Sequence, residues 1–178
     1  MKTLVITGSP HKNGTTALLA SEFIAGAEEA GGQVVRFDAA FKNVHPCIAC
    51  EKCHRGNGGC TFKDDMEQLN PKLLEVDAVV FISPIYYYGM SAQIKSVIDR
   101  FYANDAALHS SKKCALILAF ADETDESAEG AIASYKGMTN YLGWRSVGIV
   151  AARGCTVPDD IKNTAYLKQA RELGKKFK

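Results

Sequence analysis

The sequence predicts an α/β fold: a five-stranded parallel sheet of order 2-1-3-4-5 with helices on both faces, built as one domain over residues 1–178. Three observations lead there. Apolar runs of strand length alternate with amphipathic segments of helix length along the whole chain. The run Ala78-Val79-Val80-Phe81-Ile82 is apolar without a break, as a central strand covered on both faces must be. Leu4-Val5-Ile6-Thr7 passes through a short loop of small polar residues straight into a helical segment, the unit from which right-handed crossovers build such sheets.

Taken in order, Leu4–Thr7 is the first strand, and the first helix runs from Thr15 to about Ala30. Its apolar face is Ala17, Leu18, Leu19, Phe23 and Ile24, with Thr15 or Asn13 as N-cap and Gly31-Gly32 as its C-terminal stop. Val34, Val35 and Phe37 make the second strand. From Asn43 to Phe62 a loop with Pro46, four cysteines and three glycines forbids regular structure. Asp64-Asp65 opens a helix whose apolar face is Met66, Leu69, Leu73 and Leu74, and Pro71 splits or bends it. The central strand ends at Ser83-Pro84, and a helix with Ile94, Val97, Ile98 and Phe101 follows. Cys114–Phe120 is the fourth strand, Ile132, Tyr135, Met138 and Leu142 mark the next helix, and Trp144–Ala151 is the fifth strand. Pro158 opens a last helix that runs towards Leu173.

Composition narrows the function. A chain of 178 residues can bury roughly two-thirds of its unfolded surface. A net charge of +1 offers no field for nucleic acid or a membrane surface, and the Lys-rich end (Arg171, Lys175, Lys176, Lys178) reads as a solvated helix tip. The first residues hold too few apolar side chains for a signal-peptide core, and no run approaches membrane-spanning length, so a cytoplasmic protein is expected. Six cysteines in a reducing compartment then point to thiolate chemistry or metal ligation rather than to a disulfide framework.

In sheets of this order the ligand sits beyond the carboxyl ends of the strands, where strands one and three part. That brings together Ser9–Thr16 and Ser83–Gly89, the two most unusual loops. Ser9, His11, Asn13, Gly14, Thr15 and Thr16 aim hydroxyls and backbone N–H groups at one place on the positive end of a helix, a site suited to phosphate. Neither a Gly-Lys-Ser/Thr ending nor Gly-x-Gly-x-x-Gly is present, so the same residues also suit a plain strand-to-helix turn. Pro84, Ile85, Tyr86, Tyr87 and Tyr88 offer flat faces with a polar rim for a heteroaromatic ring, Pro84 restricting the backbone and Gly89 supplying positive φ. The tyrosines equally suit a covered sheet edge or a subunit contact. Ala121-Asp122-Glu123-Thr124 lines the other side of the pocket or caps the next helix.

Taken as a set, Gly8-Ser9-Pro10-His11-Lys12-Asn13-Gly14-Thr15-Thr16, Cys47-x-x-Cys50-x-x-Cys53, Asp64-Asp65-Met66 and Ser83-Pro84-Ile85-Tyr86 resemble the NADPH-dependent FMN reductase family, whose cysteine-bearing branch includes the iron–sulfur flavoproteins. The likeness runs to about Tyr102 and weakens beyond. It implies a flavodoxin-like three-layer sandwich and an FMN-dependent NAD(P)H oxidoreductase, with hydride passing to the flavin N5 and no side chain needed as acid or base. It also implies that Ser9, His11, Asn13, Thr15 and Thr16 hold the FMN phosphate, that Pro84 to Tyr88 line the ring, and that Ala121-Asp122 completes the pocket. His11 stands where the family commonly has Arg or Lys, which weakens that contact and makes it pH-dependent. Acceptors in keeping with the resemblance are a quinone, a nitro- or azo-aromatic, a flavin or a carrier protein, and a homodimer or homotetramer is the default assembly.

Cys47, Cys50, Cys53 and Cys60 are compact enough for one centre. Three thiolates two residues apart resemble [4Fe–4S] ligation, and Cys60 falls in the window that iron–sulfur flavoproteins use for the fourth ligand. Free thiols or a disulfide pair, and zinc, are the other readings, zinc sites more often using two separated pairs. With a cluster the chain is an electron carrier reduced by ferredoxin; without flavin it is a non-redox phosphate-binding module. Cys114 is expected buried and inert, Cys155 exposed, and His45, His54 and His109 have no catalytic partner pattern.

Overall fold

A computed structural model describes residues 1–55 and 58–178. Its elements in order are β1 (Lys2–Thr7), α1 (Thr15–Glu29), β2 (Gln33–Asp38), α2 (Met66–Glu75), β3 (Ala78–Tyr86), β4 (Gly89–Met90), α3 (Ala92–Asp99), α4 (Asp105–Leu108), β5 (Lys113–Ala119), α5 (Glu126–Tyr141), β6 (Arg145–Ala152), α6 (Pro158–Lys162) and α7 (Tyr166–Gly174). Five strands run parallel in the order β2-β1-β3-β5-β6, and β4 pairs antiparallel with β3 outside that path. The fold is the flavodoxin-like α/β sandwich that the sequence predicts, with a sixth, two-residue strand added.

Alternation along the central strands divides the core. Leu4, Ile6, Val79, Phe81, Leu116 and Leu118 face α2, α3 and α5, while Val5, Val80, Ile82, Ala115 and Ile117 face α1, α6 and α7. Every one of these side chains is fully buried, which is why the strands read as unbroken apolar runs. Among the described residues no helix is long and apolar enough to cross a membrane.

Three local expectations differ from the structure, and of the two readings of Pro71 the split is excluded, because it lies inside α2, which stays one helix. The C-terminal helix is two, because Asn163–Ala165 interrupt it between α6 and α7. Arg171 is no solvated tip: its guanidinium pairs with Glu22 at 2.7 Å and with Glu29, tying α7 to α1. The central strand does not end at Ser83-Pro84 but continues through Tyr86, with Pro84 in register with Ala119 of β5.

Candidate functional site

At the carboxyl ends of β1, β3, β5 and β6 a cleft of about 670 Å³ opens, a size usual for small-molecule sites. Ser9, His11, Lys12, Asn13, Gly14, Thr15 and Thr16 form one end of it. Pro84, Ile85, Tyr86, Ala119, Phe120 and Ala121 form the walls, and Cys155, Thr156, Val157 and Pro158 close the far side.

The first end is built for an anion. The N-cap of α1 is Gly14, not Thr15 or Asn13, and it supplies no side-chain cap; the first turn carries no acid. The Gly14 N–H is taken by His11 O and that of Ala17 by Gly14 O, which leaves the N–H groups of Thr15 and Thr16 for whatever enters the cleft, with the helix dipole behind them. Ser9 Oγ is engaged locally, accepting the His11 N–H at 3.1 Å. Thr15 is 7% exposed, and its Oγ1 is shut off from solvent with no partner among the described residues. A buried hydroxyl without a partner is costly unless a ligand supplies one. Lys12 turns its ammonium over the Phe41 ring, 5.2 Å from the centroid.

The wall at Pro84–Tyr86 belongs to a tight hairpin. Ile85 pairs with Met90 and Tyr86 with Gly89, leaving Tyr87 and Tyr88 as a two-residue turn. Their φ values are 47° and 63°, the left-handed pair that a type I′ turn demands and that Asn-Gly normally fills. Positive φ thus falls on the tyrosines and not on Gly89, storing about 1–3 kcal/mol per residue. Two anchors hold the turn. Tyr88 O lies where a Cβ on Gly130 would come within 2.5 Å, so only glycine lets α5 approach the hairpin. Ser91 N–H donates to Ser83 Oγ at 3.0 Å at the other end.

Tyr86 lines the cleft, whereas the Tyr87 and Tyr88 side chains stand out in solvent beyond its lining. Ala121 is in the wall, but Asp122 turns to accept from Ser127 Oγ at 2.6 Å and Thr124 N–H at 3.3 Å. Those hydrogen bonds hold its carboxyl below the usual carboxylate range. The segment Cys155–Pro158 was not singled out by sequence reasoning. Cys155 is buried, not exposed, with its N–H on Phe120 O at 2.8 Å and its thiol donating to Arg153 O at 3.2 Å. The available signal was Asp160 after Pro158: its Oδ2 takes the N–H groups of both Thr156 and Val157, at 2.8 Å each, and shapes that loop.

The cysteine loop follows β2 and borders a hollow that shares no lining residue with the cleft. Cys47, Cys50, Cys53 and Cys60 all line one small hollow with Ile48, Phe62 and Tyr102. Positive φ at Ala49 (51°) and Glu51 (60°) folds the chain back so that the thiols share it. Burial pushes the Cys53 thiol above its ordinary pKa. The donor chemistry suits a thiophilic metal, but the hollow measures only about 20 Å³, room for one atom-sized occupant. Among the described residues no three His, Cys, Asp or Glu side chains stand grouped to hold a metal ion. Gly56, the first of the loop's three expected glycines, and Asn57 lie outside the described residues.

A buried ion pair pins the loop at both ends, and sequence reasoning missed its cation. Arg100 (3% exposed) donates to Asp64 Oδ2 at 2.7 Å and Oδ1 at 3.2 Å, and to His45 O at 2.8 Å. Asp64 also accepts the N–H groups of His45 and Met66, and Asp65 accepts that of Asn43. Burial opposes ionisation of Asp64, but Arg100 and the two N–H donors overcome it and hold its pKa below the ordinary value. The only hint in the sequence was a lone arginine beside Phe101 in an apolar stretch. His45 stacks on Phe62, His54 lies tilted against Tyr102 with its Nε2 2.8 Å from Tyr102 O, and His109 sits edge-on to Tyr141, so the histidines outside the cleft serve local structure.

Comparison with known proteins bears on this arrangement. An iron-sulfur flavoprotein of Methanocaldococcus jannaschii is 37% identical over 100 residues, 56% of this chain and 51% of its own length. The chain thus spans about half the length of the first curated relatives it matches. A protein of Bacillus subtilis named for NAD(P)H-dependent, FMN-containing oxidoreduction is 25% identical over 187 aligned positions, 99% of this chain and 98% of its own. In three dimensions the NAD(P)H:quinone oxidoreductase of Methanothermobacter marburgensis superposes with a TM-score of 0.77 at 19% identity, over 100% of this chain and 96% of that one, a likeness of fold. The family described as NADPH-dependent FMN reductase matches residues 1–152, which takes in the anion loop, the hairpin and every strand of the sheet. The chain belongs to that family.

Proposed function

We propose that the cleft binds FMN and that the chain is an NAD(P)H-dependent flavin oxidoreductase. The observation that carries this reading is the joining, in one cleft, of an uncapped helix N-terminus bearing an unpartnered buried hydroxyl with a flat wall at Pro84–Tyr86. FMN, when bound, supplies the redox chemistry, accepting hydride from a nicotinamide and passing electrons on. Ser9, His11, Asn13, Gly14, Thr15 and Thr16 hold its phosphate; Pro84, Ile85, Tyr86 and Ala121 flank its ring. Tyr87, Tyr88 and Asp122 act indirectly, the tyrosines by setting the turn and Asp122 by fixing the loop after β5. Hydride transfer to the flavin needs no protein acid or base, so the part of these residues is to position the ring.

A second reading is favoured by the four cysteines on one hollow: an iron–sulfur flavoprotein that takes electrons from a ferredoxin-type carrier. As it stands the hollow is too small for a cluster, so the loop must open to admit one. Anaerobic purification, followed by a visible spectrum and iron, sulfide and zinc assays, separates the readings. Flavin bands without metal, bleached by NADPH, are the result expected of the first. Flavin with about four irons per chain and bleaching only by reduced ferredoxin would install the second. Failure to bind FMN would overturn both.

A further inference from the structure

Ser91 occupies the N-cap position of α3, yet its hydroxyl does not cap that helix. It donates instead to Gly8 O at 2.7 Å, 83 residues away and at the mouth of the anion loop. Its backbone N–H donates to Ser83 Oγ at 3.0 Å, where the hairpin leaves the sheet. Ser83, in turn, donates to Pro84 O at 2.8 Å. Both serines are fully buried, so these bonds have no competition from water. Gly8 is closed in from the other side, its N–H donating to Ile82 O at 2.9 Å. A Cβ at position 8 would stand 2.4 Å from Ser91 Oγ and 2.8 Å from Ile94 Cβ, which leaves no slack between loop and hairpin.

The Ser91 hydroxyl therefore adds a side-chain link between the two halves of the cleft, beyond the backbone bond from Gly8 to Ile82. On one side is a loop whose helix end awaits an anion; on the other is a hairpin held in a strained left-handed turn. Packed elements of this kind transmit a local shift because they cannot deform continuously.

We infer that Ser91 is a positioning residue that couples the anion loop to the tyrosine hairpin, so that phosphate bound at residues 9–16 tightens the binding of a flat ring beside Pro84–Tyr86. The inference rests on the FMN reading above and goes beyond it, in making the two subsites cooperative and naming the group that links them. Linkage then requires the ring to tighten phosphate by the same factor.

The test separates the two subsites with two probes, riboflavin and inorganic phosphate, titrated into the deflavinated full chain with ionic strength held constant by chloride. In the wild type, saturating phosphate is expected to lower the riboflavin Kd about tenfold, within the usual range for coupled sites. In Ser91→Ala the same addition is expected to change it less than about twofold, while FMN still binds. Ser83→Ala, which removes the partner of the Ser91 N–H, is the second variant should the first fold poorly. A merely structural serine would weaken each probe alone and lower the melting temperature, but leave their coupling intact. Independent binding of both probes in the wild type, or full coupling retained in a folded Ser91→Ala or Ser83→Ala chain, overturns the inference with the FMN reading unharmed. A wild type that binds neither FMN nor riboflavin, with or without phosphate, overturns the FMN reading itself and this inference with it.

Discussion

Replacing Thr15 by Val should move stability and cofactor affinity in opposite directions. The Thr15 Oγ1 is buried at the first position of α1, lines the cleft, and has no partner among the described residues. In the ligand-free chain this hydroxyl is a liability, since a buried polar group left unpaired costs about 1–3 kcal/mol. Valine has nearly the same shape and removes that cost, so the deflavinated variant should melt no lower than the wild type and up to several degrees higher; a chain of this size shifts by about 2–4 °C per kcal/mol. With FMN the sign reverses. A hydrogen bond to a charged phosphate contributes about 1.5–3 kcal/mol, which converts to a loss of roughly 10- to 150-fold in FMN affinity. Riboflavin, which has no phosphate, should bind the variant as it binds the wild type. Fluorescence-quenching titrations of both flavins and thermal melts of the deflavinated proteins give all three quantities. The reasoning is refuted if FMN affinity stays within about twofold, if riboflavin weakens as much as FMN, or if the deflavinated variant melts several degrees lower.

Asp64→Asn should destabilise the chain by about 3–5 kcal/mol, because it leaves the buried Arg100 charge uncompensated. In the wild type the folded-state pKa of Asp64 lies below its unfolded value of about 3.9, so the pair's contribution is complete above that pH and is lost as pH falls through the lower, folded value. Urea unfolding from neutral pH down to about pH 3 should show a steep acid loss in the wild type and a shallower one in the variant. Gly130→Ala places a Cβ 2.5 Å from Tyr88 O, and should weaken riboflavin and FMN alike as the hairpin is pushed off α5, at a stability cost of about 1–3 kcal/mol read by thermal melting. If anaerobic protein carries iron, Cys50→Ala should abolish it and leave the flavin content per chain unchanged, since the two linings share no residue; loss of flavin along with iron would contradict that independence.

The sheet was legible because its strands are buried on both faces, and unbroken apolar runs at Ala78–Ile82 and Ala115–Leu118 have few other uses. The cleft was legible in outline because strand order alone brings the loops after β1 and β3 together. What escaped were features made by distant residues meeting. Pro84 reads locally as a strand breaker, yet β5 pairs alongside it and the strand goes on. Tyrosine is a poor candidate for left-handed backbone, so the hairpin was invisible until Gly130 and Ser83 were seen holding it. Arg100 and Asp64 lie 36 residues apart with no local pattern to join them. Cys155–Pro158 enters the cleft only because β6 is the neighbour of β5.

The position of the cysteine loop constrains what it does. It leaves the sheet at the carboxyl end of β2, the edge strand beside β1, and returns through Asp64-Asp65, which Asn43 and Arg100 hold. None of its thiols lines the cleft, and Cys155, the one thiol that does, is spent on a backbone carbonyl. The four cysteines border a hollow of their own, and its lining shares no residue with that of the cleft. A reductase that takes hydride at the ring and hands electrons to a small acceptor makes no use of such a loop. Yet this loop is held by a buried ion pair, one stacked and one tilted histidine contact and two left-handed residues. Four sulfurs bordering one hollow, on a loop anchored at both ends, are a donor set that a redox centre could use only after the hollow widens, which is why the iron–sulfur reading stands beside the simpler one and why metal content decides between them.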